Sequence, residues 1–414
     1  MRGQAVPVRA AMVTLFVAVG ALYPFIPVYY QSLGLSLGGI GLLGALSAGA
    51  GAVASPLWGA AADRLRSPRA VMPVAALGAA IAAVLLSVVQ PTVPLVITVA
   101  ALAMFMAGVA PILDARALEV TGGDRNRYSL LRVWGSGSFI VSVLLVGWLI
   151  DRTQIGAMFA VLAASLLATG LIGLAFRSRT GAADAAAAVS HLAGIGAVLR
   201  SPALGPFLLA ILLVWSSNMA INAFFSIHLV DIGADGALVG AAWAVGALVE
   251  IPVMLGYPRL GARLGVERLL LIGAAVFFVR ALSVVVLRDP LLVTATMALH
   301  GIGFALVLVG GVVHVSRHAP PGTAATAQGV LGATVFGLAA ILGPGVGGQL
   351  AGWLGLEGMF IVATPGCGLA VLALGWALRS DLRRAASSAG PLAEPVAEEW
   401  DGLRDAFDPR TKQR

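Results

Sequence analysis

The chain has 414 residues, of which 59% are hydrophobic and 11% charged, with a formal net charge of +7. A soluble domain carries about 25% charged residues, so this apolar content excludes one water-soluble core and calls for the bilayer as solvent. The arginines lie between apolar runs, not in one patch, which argues against a nucleic-acid surface, and the one cysteine, Cys367, excludes an intramolecular disulfide or a cysteine metal cluster.

Apolar runs of about 20 residues or more, bounded by charges or Pro/Gly turns, predict spanning helices. Twelve are expected, at 8–31, 36–61, 70–89, 94–117, 129–150, 155–177, 204–230, 236–259, 266–287, 290–317, 322–350 and 356–378. The first run follows Arg2 and Arg9 as a signal peptide would, but it reaches Tyr30 without a small-residue cleavage site and is kept as helix 1. The polar stretch "RSRTGAADAAAAVSHLAG" divides the spans six and six. This predicts an N-terminal bundle at 1–177, a linker at 178–203, a C-terminal bundle at 204–378 and a polar tail at 379–414.

Charge tests this topology. With twelve spans, 23 of the 26 basic residues fall on the side of the termini, only Arg152 and Arg288 on the other, and Arg280 inside helix 9. The positive-inside rule then places both termini in the cytoplasm of a multi-pass inner-membrane protein.

After helix 2 comes "GAAADRLRSPR". Its Gly59, Asp63, Arg64 and Arg69 resemble the loop signature Gly-x-x-x-Asp-Arg-x-Gly-Arg-Arg of the major facilitator superfamily, with Arg66 in place of the second Gly and Pro68 intruding. "GYPRLGARLG" after helix 8, with Gly256, Arg259 and Arg263, reads as a degenerate copy. The resemblance implies an all-α integral membrane fold of two pseudo-symmetric six-helix bundles. It also implies that the loop is a cytoplasmic latch which breaks as the halves rock; ordinary positive-inside anchoring is the alternative.

A narrower resemblance lies on helices 4 and 5. Pro111 and Asp114 in "APILDARALEV", then Tyr128, Arg132, Trp134, Gly135 and Ser136 in "YSLLRVWGSGSF", resemble the branch containing lactose permease, nucleoside permeases and phenylpropionate permeases. The first Arg of that pattern is missing, since Leu130 stands there. The resemblance makes Asp114 and Arg132 candidates for holding substrate, and Ser136 and Phe139 share the face of Arg132. Both charges lie near helix ends, so a simple brace between the two helices is the rival reading.

The C-terminal half carries three ionisable residues at one depth. Glu250 and Arg280 fall about fourteen residues into helices 8 and 9, and His300 about ten into helix 10. A charge facing lipid there costs about 2.5–3.5 kcal/mol, so mutual pairing is expected. Lactose permease, which this branch contains, supplies Glu, Arg and His from the same helices in the same order, for sugar binding and proton coupling. Its acid one turn after the His is absent here, where Gly303 stands. Glu250, with His300, is therefore the candidate proton carrier; a permanent buried ion pair is the alternative. In "LLVWSSNMAINAFF", Trp215, Asn218, Asn222 and Phe225 line one helical face, suited to a ring-bearing polar solute or equally to helix–helix glue. Tyr23, Trp243 and Tyr30 offer stacking surface, Tyr30 reading better as an interfacial anchor.

No nucleotide-binding loop and no metal-ligand cluster are recognised, so no enzyme activity and no cofactor are expected, with a proton as coupling ion. The expected function is a secondary transporter, acting as a monomer on a small polar organic solute (sugar, nucleoside or aromatic acid), by proton symport. The rival is a proton-driven exporter, whose Gly-Pro-x-x-Gly-Gly motif on helix 5 has a counterpart here only on helix 11, "GPGVGG" at 343–348.

Overall fold

Proline and glycine set where the long apolar runs bend or stop. The computed structural model describes residues 4–65, 68–89, 93–122, 124–176 and 191–387. Helix α1 spans Ala5–Ser32 and breaks at Tyr23–Phe25 around Pro24. It is followed by α2 (Leu37–Leu65), α3 (Pro68–Leu86), α4 (Val93–Val120), α5 (Arg125–Arg152) and α6 (Ala157–Gly173). The second half holds α7 (Leu204–Asp231), α8 (Gly236–Leu264), α9 (Val266–Val286) and α10 (Pro290–His318). A last continuous run turns sharply at Gly355, whose φ of 75° lies in the left-handed region open to glycine, and so makes α11 (324–354) and α12 (356–387). Among the described residues, ten helical runs are long and apolar enough to cross a bilayer. The bent run makes two passes and the 17-residue α6 one more, which gives twelve.

The two halves repeat one packing plan. Helix α1 lies on α5, α2 on α4 and α3 on α6; six helices later, α7 lies on α11, α8 on α10 and α9 on α12. The halves meet along α2 with α11 and α5 with α8, two contacts that exchange under the same pseudo-symmetry. Twelve alternating passes bring the start of α1 and the end of α12 to one end, termed the basic end from its arginines; the other is the far end.

Close approach of backbones holds the far end shut. A Cβ on Gly41 would meet the Pro344 carbonyl and the Gly348 Cα, and Gly49 still lies near Ile341, but Gly59, nearer the basic end, has open space. Likewise a Cβ on Gly147 would strike the Gly236 carbonyl and one on Gly240 the Val143 carbonyl, whereas Gly137 and Gly256 meet nothing. The helices therefore splay toward the basic end. Buried side chains agree: one apolar cluster at the far end draws on both halves, including Tyr29, Ile40, Phe224 and Met297. At the basic end each half keeps its own, around Met12, Met72 and Leu113 in one and Phe207, Trp215 and Leu270 in the other.

Two boundaries differ from the sequence expectation. The stretch at 178–203 is not wholly polar linker, because His191–Arg200 forms a helix against the starts of α7 and α11. Helix α12 also runs on to Ser387, past the expected tail start at 379. The remaining linker residues to 190 and the tail from 388 lie outside the described residues.

Candidate functional site

In the first half, Asp114 of α4 and Arg132 of α5 meet. Arg132 Nη1 donates to Asp114 Oδ1 at 3.2 Å and Oδ2 at 3.3 Å, and Tyr128 donates its hydroxyl to Asp114 Oδ1 at 2.9 Å. The Tyr128 oxygen accepts a further bond from Arg132 Nη1 at 3.1 Å. Tyr128 and Arg132 sit one turn apart, so α5 offers both groups to one carboxylate. The guanidinium lies over the Phe16 ring of α1, 5.7 Å from its centroid, and stays 48% exposed. An ion pair this open can exchange partners. Ser136 and Phe139, half-buried, follow on the same side of α5.

In the second half, the expected trio is brought to one level but not into one ion pair. A Cβ on Gly301 would touch the Gly246 carbonyl and lie 3.0 Å from the Glu250 amide nitrogen, so α10 presses against α8 beside His300 and Glu250. Arg280 turns elsewhere. Its Nη1 donates to Asn218 Oδ1 at 3.4 Å, its Nη2 reaches Met297 Sδ at 3.3 Å, and its guanidinium caps the Phe225 ring at 4.9 Å. Met297 precedes His300 by three residues, and its thioether takes the side of Arg280 that faces α10. Arg280 is 1% exposed and forms no salt bridge with Glu250. A buried guanidinium without a counter-ion is costly, and here Asn218, Met297 and Phe225 hold it.

Several polar atoms around it have no hydrogen-bond partner: Arg280 Nε, Asn218 Nδ2, Asn222 Oδ1 and His300 Nδ1. Such groups cost about 1–3 kcal/mol each when left unmade. Both donors and acceptors are among them. Trp215, read from sequence as part of this face, instead packs edge-on to Phe277 and Phe304 at 6.1 and 5.3 Å and is 1% exposed. Tyr30 is likewise buried, at 5% exposure, beside Tyr29, and is no interfacial anchor. Trp243 donates to Ser226 Oγ at 3.0 Å.

Helix register relates the two clusters. Helices α5 and α8 run antiparallel with Val143 against Gly240; the same number of 1.5 Å steps toward the basic end leads to Arg132 on one and Ile251 on the other. Arg132 and Glu250 thus lie at nearly one level on opposite sides of the opening between the halves.

A family model described as MFS_1 like family matches residues 9–362. The chain belongs to this family of major facilitator transporters. It is similar to the maltose permease of Geobacillus stearothermophilus, 29% identical over 81% of this chain and 85% of that protein. It is also similar to the multidrug resistance protein MdtG of Serratia proteamaculans, 26% identical over 61% of this chain and 64% of the other. Among solved structures, a variant of the nucleoside transporter NupG superposes with a TM-score of 0.82 at 17% identity, covering 90% of this chain and 99% of that one. Major facilitator transporters are not enzymes; they are multi-pass membrane proteins that bind small molecules within the bilayer.

Two motifs of this transporter take on meaning from the fold. "GPGVGG" lets α11 approach two partners, since a Cβ on Gly343 would strike Ser216 and Met219 of α7, and Gly348 lies on Gly41 of α2. The latch candidates Gly59, Arg64 and Arg69 stand at the splayed end, where Gly59 has open space and both arginines are exposed; the side chain of Asp63 lies outside the described residues. Sequence reasoning missed Phe16, Met297 and Asp151. Asp151 Oδ1 and Oδ2 accept from the amides of Gly236 and Ala237, each at 2.7 Å, which ties the end of α5 to the N-terminus of α8. Gln31 Nε2 donates to Asp231 Oδ1 at 3.0 Å nearby.

Proposed function

We propose that the transporter takes up a small neutral polyhydroxylated solute, of the sugar or nucleoside class, in symport with protons across the inner membrane. The carrying observation is the mixed set of unpaired buried atoms, with donors on Arg280 and Asn218, an acceptor on Asn222 and either role open to His300 Nδ1. A hydroxyl both donates and accepts, so a polyol satisfies such a set, whereas an anion needs donors alone. The similarity to a maltose permease supports a sugar. With the basic end taken as cytoplasmic by the positive-inside rule, the splayed conformation is inward-open, and one chain supplies both halves of the site, acting as a monomer.

Glu250 is the proposed proton carrier. It has no ion-pair partner among the described residues and lies nearly level with Arg132 across the opening. Closure of the basic end would bring the two together and favour the carboxylate; reopening would favour proton uptake. Asp114 and Arg132 would bind substrate from the first half.

The test is transport into proteoliposomes with an imposed pH gradient, screening maltose, other disaccharides, nucleosides and aryl acids. Accumulation driven by outside acid is expected for a hydroxylated solute, and Glu250→Gln should keep substrate exchange while losing proton-driven accumulation. Full accumulation by Glu250→Gln removes it as carrier. The similarity to a multidrug resistance protein favours a second reading, proton-driven export; substrate efflux coupled to inward proton flow would establish it.

A further inference from the structure

The basic end of the second half holds a side-chain cluster outside the proposed substrate site. His314 and His318 lie one turn apart on α10, and Asp381 faces them from α12. One ligand atom from each of the three lies within 4.8 Å of the others. The imidazole rings of His314 and His318 are 4.2 Å apart between centroids, tilted by 30°.

Hydrogen bonding fixes the orientation of His318. Its Nδ1 lies 2.9 Å from the His314 carbonyl oxygen, which can only accept, so Nδ1 carries a proton. Its Nε2 then faces Asp381 Oδ2 at 3.5 Å. A charge-assisted N–H···O bond is about 2.7–2.9 Å long. The observed separation instead matches the edge of a tetrahedron around zinc, about 3.3–3.5 Å for metal–ligand bonds of about 2.0–2.2 Å. An Nδ1–H held by a backbone carbonyl is also the usual orientation of a metal-ligating imidazole. Independently, His314 is 1% exposed and its Nδ1 has no hydrogen-bond partner. Glu267 Oε1 sits 4.0 Å from that nitrogen and equally far from Arg317 Nη1, so its charge is shared with that guanidinium. His318 and Asp381 are 21% and 12% exposed, so an ion has a path in from the basic end.

The geometry points to a divalent transition-metal site, of the zinc or cobalt class, formed by His314, His318 and Asp381 and tying α10 to α12 at the basic end. Two imidazoles and one carboxylate suit such an ion and leave a fourth position open to water. The site lies within one half, so it stiffens the second bundle without bridging the gap between halves.

The test uses full-length protein in detergent with any polyhistidine tag removed, because the chain has only five histidines of its own. Titration with Co²⁺ is followed by its visible ligand-field bands, then by displacement with Zn²⁺. One saturable Co²⁺ per chain is expected. His318→Ala and Asp381→Asn, at partly exposed positions, should weaken binding at least tenfold with an unchanged gel-filtration profile, and His228→Ala should leave it intact. Zn²⁺ should also raise the thermal unfolding midpoint of the wild type but not of His318→Ala. Wild-type protein that binds no more Co²⁺ than His318→Ala would overturn the site and leave an imidazolium–carboxylate pair.

Discussion

Replacing Asp151 with Asn tests whether the far end is held by a carboxylate seated on a helix terminus. In the closed end, Asp151 satisfies the amides of Gly236 and Ala237, and Asp235 satisfies that of Leu238. Two carboxylates, one from each half, therefore occupy the positive pole of α8. Asn keeps one acceptor but turns an NH₂ group toward the second amide and carries no charge. Loss of charge at an exposed helix terminus costs about 0.3–1 kcal/mol. Loss of one hydrogen bond adds about 1 kcal/mol, the low end of the range because water can replace it here. The sum, about 1–2 kcal/mol, shifts the balance between closed and open far ends by about 5–30-fold. Spin labels at Gln154 and Leu291, exposed positions at the far end on opposite halves, report this as a longer interlabel distance. Cys367 is the one native cysteine and is changed to Ala for the purpose. The open population should rise in Asp151→Asn. An unchanged distance distribution would refute the reasoning and leave the glycine contacts as the whole closure.

Gly240→Leu should open the same end more strongly, since its side chain must displace the Val143 carbonyl; overpacking of about 1–3 kcal/mol would appear in the same distance measurement, and an unchanged distribution would mean that α5 and α8 can part locally. Arg132→Lys should weaken substrate affinity by about 10–100-fold, as Arg132 meets Asp114 and Tyr128 through Nη1 alone and offers its other N–H donors to a solute, which one ammonium does not; equal affinity in a binding titration removes Arg132 from the site. Gly303→Asp should not restore a proton site and should lower the thermal unfolding midpoint, because its Cβ would lie 2.6 Å from the Phe277 ring and 3.1 Å from the Gly273 carbonyl. A midpoint equal to wild type would show that α9 and α10 can separate there.

The spans were legible because a bilayer demands uninterrupted apolar length. The pairing of Asp114 with Arg132 was legible too, because the two lie near the same end of consecutive helices and fill positions of a known permease pattern. The seat of Arg280 was not. Depth counting places it level with Glu250, but whether a guanidinium turns toward α8 or α7 depends on Met297, an apolar residue with no sequence signal of a polar role. Asp151 reads as a loop charge until the end of α5 is seen against the start of α8, and nothing in one sequence sets two separate bundles in register. Glycine shows the same ambiguity: Gly147 and Gly137 look alike in sequence, yet one is a backbone contact and the other faces open space.

Gly303 bears on more than its own helix. The position one turn after His300 is filled by the packing of α10 on α9, so no carboxylate fits between Phe277 and the Gly273 backbone. Among the described acids of the second half, Asp231, Asp235, Glu267, Asp289 and Glu357 lie at helix ends or in turns and Asp381 lies in the last turns of α12 at the basic end, which leaves Glu250 as the one described carboxylate near the middle of a spanning helix. A carrier that must both bind a proton and sense which end is open needs a partner that comes and goes with the rocking motion. Arg280 does not meet that need, because Asn218, Met297 and Phe225 belong to its own half and move with it. Arg132 does, because it belongs to the other half, lies at the register of Glu250 and keeps an exposed guanidinium. Under the proposed symport, coupling between proton and substrate would be a competition across the gap, in which Arg132 is shared among Asp114, Glu250 and the solute's hydroxyls.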